Sequence, residues 1–204
     1  MRDILIRPAI KEDMPAVSNV HMICFSDYFL TKLGQSLLVQ YYRIFLEDHQ
    51  LFYVAEADGK IVGFCMGYYA GSRSRERFIQ LCKFPLMGRC IRLMSRFDRD
   101  TIKRVSELAK EKLLPQKTTR RGGAPQPTSC QADLLSIGVL PEFRGTSVAE
   151  DLVAAFEKCM KKNGVSRYGL SVKEENGRAR AFYEKQGFQT FSRSGDSFKL
   201  VKDI

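Results

Sequence analysis

The sequence predicts a single α/β domain over residues 1–204: a mixed and strongly twisted sheet with helices on both faces. Three stretches carry that prediction. Leu134 to Val172 reads as strand, glycine-containing turn, amphipathic helix and strand, the pattern of two parallel strands joined by a crossover helix, for which a right-handed connection is expected. Leu51–Ala57 and Lys60–Tyr69 are β-rich runs on either side of Asp58-Gly59, a strong hairpin signal. Gln189 to Ile204 alternates around Ser194-Gly195-Asp196, a second hairpin. One parallel crossover and two antiparallel hairpins make the sheet mixed.

At the N-terminus, Arg2 and Asp3 lead directly into Ile4-Leu5-Ile6, without the apolar core of a signal peptide. No apolar run approaches the roughly 20 residues that span a bilayer, so a soluble, cytoplasmic protein without a membrane partner is expected. Residues 4–8 read as a first strand. Glu12, Asp13 and Pro15 open a helix with Val17, Val20 and Cys24 on its apolar positions. Phe25 to Leu33 reads as irregular and aromatic, and a second helix is expected from about Ser36 to Asp48. Phe25, Tyr28, Phe29 and Tyr41 are either core residues or the wall of a binding site.

Residues 71–130 form an insertion between the first hairpin and the crossover unit. They hold 15 Lys/Arg against 5 Asp/Glu, a net of +10, which equals the net charge of the whole chain; the rest is neutral on balance. Ile102, Val105, Leu108, Ala109 and Leu113 form a helical stripe within Asp98–Leu114, and Gln116–Gln131 is rich in Thr, Arg, Gly and Pro, a loop composition. Phe78, Phe84 and Phe97 are too sparse for the aromatic platform of a single-strand nucleic-acid binder, so nucleic acid is not the expected partner. A solvated basic face is the plain reading of that charge, and a lid favouring phosphate or another anion comes next, ahead of nucleic acid or an acidic partner protein.

Six cysteines, at 24, 65, 82, 90, 130 and 159, form no CxxC and no ligand-spaced cluster with His21 or His49. Buried or idle thiols in a reducing compartment are expected, structural or surface roles for both histidines, and no metal.

The chemistry is expected in the turn that opens the crossover helix. Arg144-Gly145-Thr146-Ser147-Val148-Ala149 is short, small and preceded by a strand that ends at Pro141. Free N–H groups at a helix start bind phosphate, and small residues let the anion approach the backbone. The helix itself places Val148, Leu152, Ala155, Phe156 and Cys159 on one face, acids in its first turn and lysines near its end, and stops at Asn163-Gly164.

Together with the segment from Asn176 to Phe188, this stretch resembles the GNAT superfamily of acetyl-CoA-dependent N-acetyltransferases. The family closes a strand with V-x-P, continues with an arginine or glutamine and a small-residue loop into a helix, and after a second strand runs N-x-x-A-x-x-F-Y-x-x-x-G-F. Val139, Pro141, Arg144, Ala149, Asn176, Ala179, Phe182, Tyr183, Gly187 and Phe188 occupy those positions. Ser147 departs from the pattern where the family has a glycine, and a positive φ there would carry strain. The resemblance covers about a quarter of the chain.

The resemblance implies a GNAT fold with the insertion between its third and fourth strands, and acetyl-CoA as co-substrate. It implies that the backbone of Ile137, Gly138 and Val139 pairs with pantetheine, with the Val139 N–H facing the thioester oxygen. It further implies that residues 144–149 take the pyrophosphate, that Asn176 hydrogen-bonds the cofactor and that Tyr183 protonates the departing thiolate. In ribosomal-protein N-terminal acetyltransferases a glutamate stands on the second motif strand; Ser171 stands there in this chain and cannot act as a base. Glu174, Glu175 and Asp133 are the nearby carboxylates, and deprotonation through ordered water would need none of them. The expected function is acetyl transfer to a primary amine of a small molecule, with an amino sugar or sugar nucleotide as first candidate. The alternatives are a protein or peptide lysine or N-terminal acetyltransferase, or a non-catalytic acyl-CoA- or nucleic-acid-binding module, as monomer or homodimer.

Overall fold

A computed structural model describes residues 3–32, 34–49, 51–74, 77 and 130–204. They belong almost entirely to the first of two compact units, Met1–Ser74 with Ser129–Ile204; the second, Arg75–Thr128, lies almost wholly outside them. The expected helical stripe at Asp98–Leu114 and the loop from Gln116 lie outside the described residues as well, as do Cys82 and Cys90.

Among the described residues seven strands form one sheet in the order β1-β2-β3-β4-β5-β7-β6. These are β1 (Ile4–Pro8), β2 (Phe52–Ala57), β3 (Lys60–Tyr69), β4 (Ala132–Val139), β5 (Arg167–Lys173), β6 (Gln189–Ser194) and β7 (Ser197–Asp203). All neighbours are antiparallel except β4 and β5. The hairpin at Asp58-Gly59 forms as its sequence requires: both residues adopt positive φ, 50° and 72°, the mirror-image turn that matches strand twist. Residues 25–32 are more regular than their composition suggests. A short helix α2 (Phe29–Lys32) separates α1 (Met14–Cys24) from α3 (Gln35–His49). Arg7 reaches from β1 to Asp13 at the start of α1 (2.7 and 2.8 Å) and to Glu56 on β2 (2.9 Å), while the Ile10 N–H also donates to Asp13.

The two faces of β3 show how the layers divide. Phe64 points to α1 and α3, where its ring meets Tyr42 at 5.3 Å between centroids. Gly63 and Gly67 point to α4 (Val148–Lys162). A Cβ at Gly67 would stand 2.4 Å from both the Asp133 carbonyl oxygen and Phe156 Cζ. Glycine there lets the aromatic ring of α4 rest on the sheet. The buried stripe of α4 is Val148, Leu152, Val153, Phe156 and Met160. Ala155 and Cys159, expected on that face, are only half-buried, because the stripe turns toward Val153 and Met160 as the helix crosses four strands. Glu157, also on α4, accepts from Tyr168 Oη and Lys202 Nζ, both at 2.6 Å, and ties the helix to β5 and β7.

Candidate functional site

β4 and β5 start as parallel neighbours and then part. Their only paired positions are Ala132 with Tyr168 and Asp133 with Gly169. On its other side β4 stays paired with β3 up to Val139, with a register shift opposite Met66/Gly67 that leaves Leu135 unpaired. The result is a V-shaped gap along Leu134–Val139. The Leu140 N–H donates to the Val62 carbonyl at 2.9 Å, so 62 and 140 are a hydrogen-bonded pair. An antiparallel ladder alternates, so the N–H groups of Ile137 and Val139 turn away from β3 and into the gap. Gly138 is different: the same alternation commits its backbone to Phe64. Its missing side chain matters instead, since a Cβ would sit 3.0 Å from Phe64, 3.3 Å from Phe25 and 3.5 Å from Cys24.

Below the gap the chain enters α4 through a short 3-10 turn, Pro141–Phe143, and the loop at 144–147. Gly145 takes the left-handed conformation (φ +79°), while Ser147 is right-handed helical at φ −72°. The strain expected at Ser147 is therefore absent: the loop places its one left-handed residue two positions earlier, at a glycine. The Ser147 hydroxyl donates to Asp151 at 2.7 Å and the Thr146 hydroxyl to the Phe143 carbonyl at 2.6 Å. Both hydroxyls turn onto the loop's own framework. The N–H groups of Gly145, Thr146 and Ser147 have no backbone partner among the described residues, and Ala149 stands in the helix's first turn, whose N–H groups lack intrahelical acceptors. Four exposed residues in a row, Arg144 to Ser147, leave this nest open. That is a fit for an anion. Arg144 folds back so that its Nε donates to the Val139 carbonyl at 3.2 Å.

α5 (Gly177–Lys185) flanks the gap from the α4 side. Asn176 is its N-cap: Oδ1 accepts from the Ala179 N–H at 3.1 Å. A local capping task thus holds this side chain and leaves its amide nitrogen uncommitted. Tyr183 is 7% exposed and packs between Phe182 and Phe188 at 5.4 Å each. Its hydroxyl makes no hydrogen bond among the described residues. Burial pushes the phenol well above its ordinary value, with smaller contributions from Cys65 and Tyr28. It is a fixed, protonated, uncommitted O–H donor.

The opposite side of the gap is made by α1 and the turn after it. Cys24 Sγ lies 3.3 Å from the Val139 carbonyl. Burial raises the thiol's pKa, and Arg144 opposes that shift. Of the four aromatics expected as wall or core, Tyr41 is core, Phe25 is half-buried against Gly138, and Tyr28 is 40% exposed. Lys173 Nζ stands 5.4 Å over the Tyr28 ring. The Phe29 side chain lies outside the described residues.

The three carboxylates considered as bases are engaged. Asp133 pairs with Lys199, whose chain passes over Gly169. Glu174 pairs with Arg193 at 2.6 Å and Glu175 with Lys173 at 3.0 Å. Ser171 is exposed on β5. The local sequence around Asp133 does not announce its partner, because Lys199 arrives from a strand 66 residues on. Among the described residues no group of three or more His, Cys, Asp or Glu could hold a metal, and no helix is long and apolar enough to cross a membrane.

Comparison with known proteins agrees with this geometry. The acetyltransferase (GNAT) family model matches residues 121–188. A spermidine N(1)-acetyltransferase from Thermoplasma acidophilum is 32% identical over 72 residues, 35% of this chain and 45% of that protein. The chain thus spans less than half the length of this curated relative. Solved structures align over nearly the whole chain at low identity. The PaiA N-acetyltransferase of Thermoplasma acidophilum in complex with coenzyme A superposes with a TM-score of 0.61 at 18% identity, covering 99% of each chain. The ribosomal-protein-S18-alanine N-acetyltransferase of Escherichia coli gives 0.57 at 14% identity, covering 99% of this chain and 94% of that one. These likenesses place the sheet and helices in one fold.

Proposed function

We propose that the chain is an acetyltransferase of the GNAT superfamily and that it transfers the acetyl group of acetyl-CoA to the primary amine of a small molecule. One observation supports the proposal: β4 and β5 part after two pairs and leave the Ile137 and Val139 N–H groups turned into the gap. When bound, acetyl-CoA supplies a thioester whose carbonyl carbon takes the amine lone pair and whose sulfur leaves as thiolate.

The chain's own residues do the rest. The backbone of β4 at Ile137 and Val139 extends pantetheine as an added strand, and Gly138 lets α1 close on that strand. The Val139 N–H donates to the oxyanion, a contact of a kind worth about 10²–10³ in rate. The nest of Gly145, Thr146, Ser147, Val148 and Ala149, with Arg144, takes the pyrophosphate. The Asn176 amide donates to the cofactor while its carbonyl caps α5. Tyr183 gives its proton to the sulfur as charge develops there, and the proton that the attacking nitrogen sheds returns to the phenolate, so that neutral amide and thiol result.

For the acceptor, the spermidine enzyme among the relatives supports a small amine. The net charge of +10 opposes a polycation and favours an amine that also carries phosphate or carboxylate, such as a sugar nucleotide. Thiol release from acetyl-CoA across spermidine, amino sugars, amino-sugar nucleotides, amino acids and basic peptides tests this reading, with Tyr183→Phe beside the native chain. Turnover with an anionic amine supports it. Turnover confined to peptides or polyamines would replace the acceptor class, and no turnover with bound acetyl-CoA would leave a binding module.

A further inference from the structure

On the α1–α3 side, a row of contacts crosses the V from one arm to the other. Tyr168, Leu170 and Val172 of β5 are buried in the core with α4, so Ser171 and Lys173 project to the opposite face. Lys173 lies four residues past Gly169, and Gly138 lies five past Asp133, one of the five being the unpaired Leu135. The two reach about the same level on the two arms. A Cβ at Gly138 would sit 3.3 Å from Phe25. The Phe25 and Tyr28 rings meet at 5.3 Å between centroids and 74° between planes, and Lys173 Nζ stands 5.4 Å over the Tyr28 ring. Phe25 also packs on His21 at 4.8 Å, which anchors the row in the core.

The last contact of the row is an alkylammonium on a phenol face. Phe25 holds the Tyr28 ring in place, yet that residue stays 40% exposed. Lys173 is exposed too, and its ion pair with Glu175, at 3.0 Å, lies in solvent. Exposed pairs of this kind hold a side chain weakly, so Lys173 can leave the ring at little cost. In the acetyl-transfer reading, α5 and Tyr183 serve the sulfur from the α4 side, and the amine meets the thioester from the α1–α3 side, past this ring. A primary alkylamine arrives as an ammonium ion, because its pKa stands near that of lysine. An aromatic face attracts such an ion. Lys173 Nζ is chemically the same group as the expected acceptor.

We propose that the exposed face of Tyr28 is the docking site for the acceptor's ammonium group, and that Lys173 Nζ occupies this place until the acceptor displaces it. The acceptor is then an amine that is protonated at neutral pH, as on an alkyl chain or a sugar, and not a weakly basic aryl amine. The inference rests on the acetyl-transfer reading for its acceptor, and the first of its tests needs no turnover.

That test titrates the full chain with tetramethylammonium, an ammonium that cannot be acetylated, and follows its methyl signal by ¹H NMR. Ring currents should move the signal upfield in a saturable way. Tyr28→Leu should remove most of the shift, and Lys173→Met should tighten binding about two- to threefold. No shift, or equal shifts in the native chain and Tyr28→Leu, would overturn the proposal. The second test is kinetic, with whichever amine turns over. Tyr28→Leu should raise KM for the amine about three- to tenfold, while kcat and KM for acetyl-CoA stay within about twofold. Tyr28→Phe, which keeps a π face, should recover most of that loss. Lys173→Met should lower KM for the amine, but not in the Tyr28→Leu background. An unchanged amine KM in Tyr28→Leu, or an equal loss toward acetyl-CoA, would overturn the docking site and leave acetyl transfer standing. So would a gain from Lys173→Met that survives removal of the ring, since it would reflect charge repulsion alone. If no amine turns over, the acetyl-transfer reading falls, and the tetramethylammonium titration decides the docking site by itself.

Discussion

Acidification between pH 6.5 and 4 sets the burial of His21 against the fold. The unfolded chain takes up a proton on this ring as pH falls through 6.5, but the folded chain does so only near 4. Throughout that window the unfolded state binds more protons, so stability rises with pH and is lost as pH falls. At 1.36 kcal/mol per pKa unit, His21 removes at most about 3 kcal/mol, and about 2 kcal/mol between pH 7 and pH 4.5. Asp13 moves the other way, held below its ordinary 3.8 chiefly by Arg7 against the opposing effect of burial. Its contribution is present above that value and is lost only beneath it, mostly below the His21 window. The assay is urea unfolding at pH 7 and pH 4.5 for the native chain and for His21→Gln, which keeps a polar partner for Tyr42 and does not titrate. The native chain should lose about 2 kcal/mol more than the variant over that interval. Parallel losses would refute the reasoning, since they would mean that His21 is protonated in the folded state at its ordinary pKa.

Three further outcomes are expected. Tyr183→Phe should lower kcat about 10²-fold or more, yet shift stability by no more than about 0.5 kcal/mol, because the removed hydroxyl has no partner to abandon; thiol-release kinetics and thermal melts check the two halves. Gly145→Ala should cost about 1 kcal/mol of backbone strain at φ +79° and raise KM for acetyl-CoA. Its Cβ would meet nothing within 4 Å, so a large fall in Tm would contradict the account. Gly67→Ala should destabilise by roughly 2–3 kcal/mol in urea, since the new Cβ would press a carbonyl oxygen and the Phe156 ring at 2.4 Å; a neutral result would show that α4 can lift from the sheet.

The parts of this fold legible in the sequence are those decided locally. Asp58-Gly59 dictates its own hairpin, and Asn163-Gly164 ends α4 where it stands, with Gly164 at φ +75°. The loop from Arg144 to Ala149 is readable as an anion nest because its small residues precede a clear amphipathic helix. What is not readable depends on distant pairings. No local pattern says that β7 enters between β5 and β6, or that β4 and β5 part after two pairs. In the sequence His21 resembles any histidine on a helix; its partner Tyr42 lies 21 residues on, across a helix pair. Gly138 is the instructive middle case. Its place in the motif is visible, but the ladder register alone shows that its contribution is an absent side chain rather than a free N–H.

The V between β4 and β5 also divides the molecule's cooperativity. Strands β1–β4 and β5–β7 share two backbone pairs, the bonds of Gln131 to Ser166 and Arg167, the Asp133–Lys199 bridge and α4, with its Glu157 tie to the far side. Such a sheet behaves as two foldons joined at a narrow seam, and amides along that seam should exchange with solvent before those of β2, β3 or β7. A ligand that lies in the V as an extra strand completes the ladder from one side. Its binding free energy then becomes stability of the seam, about 2.7 kcal/mol at a hundredfold excess over Kd. The protein is most nearly one cooperative body while such a ligand is in place.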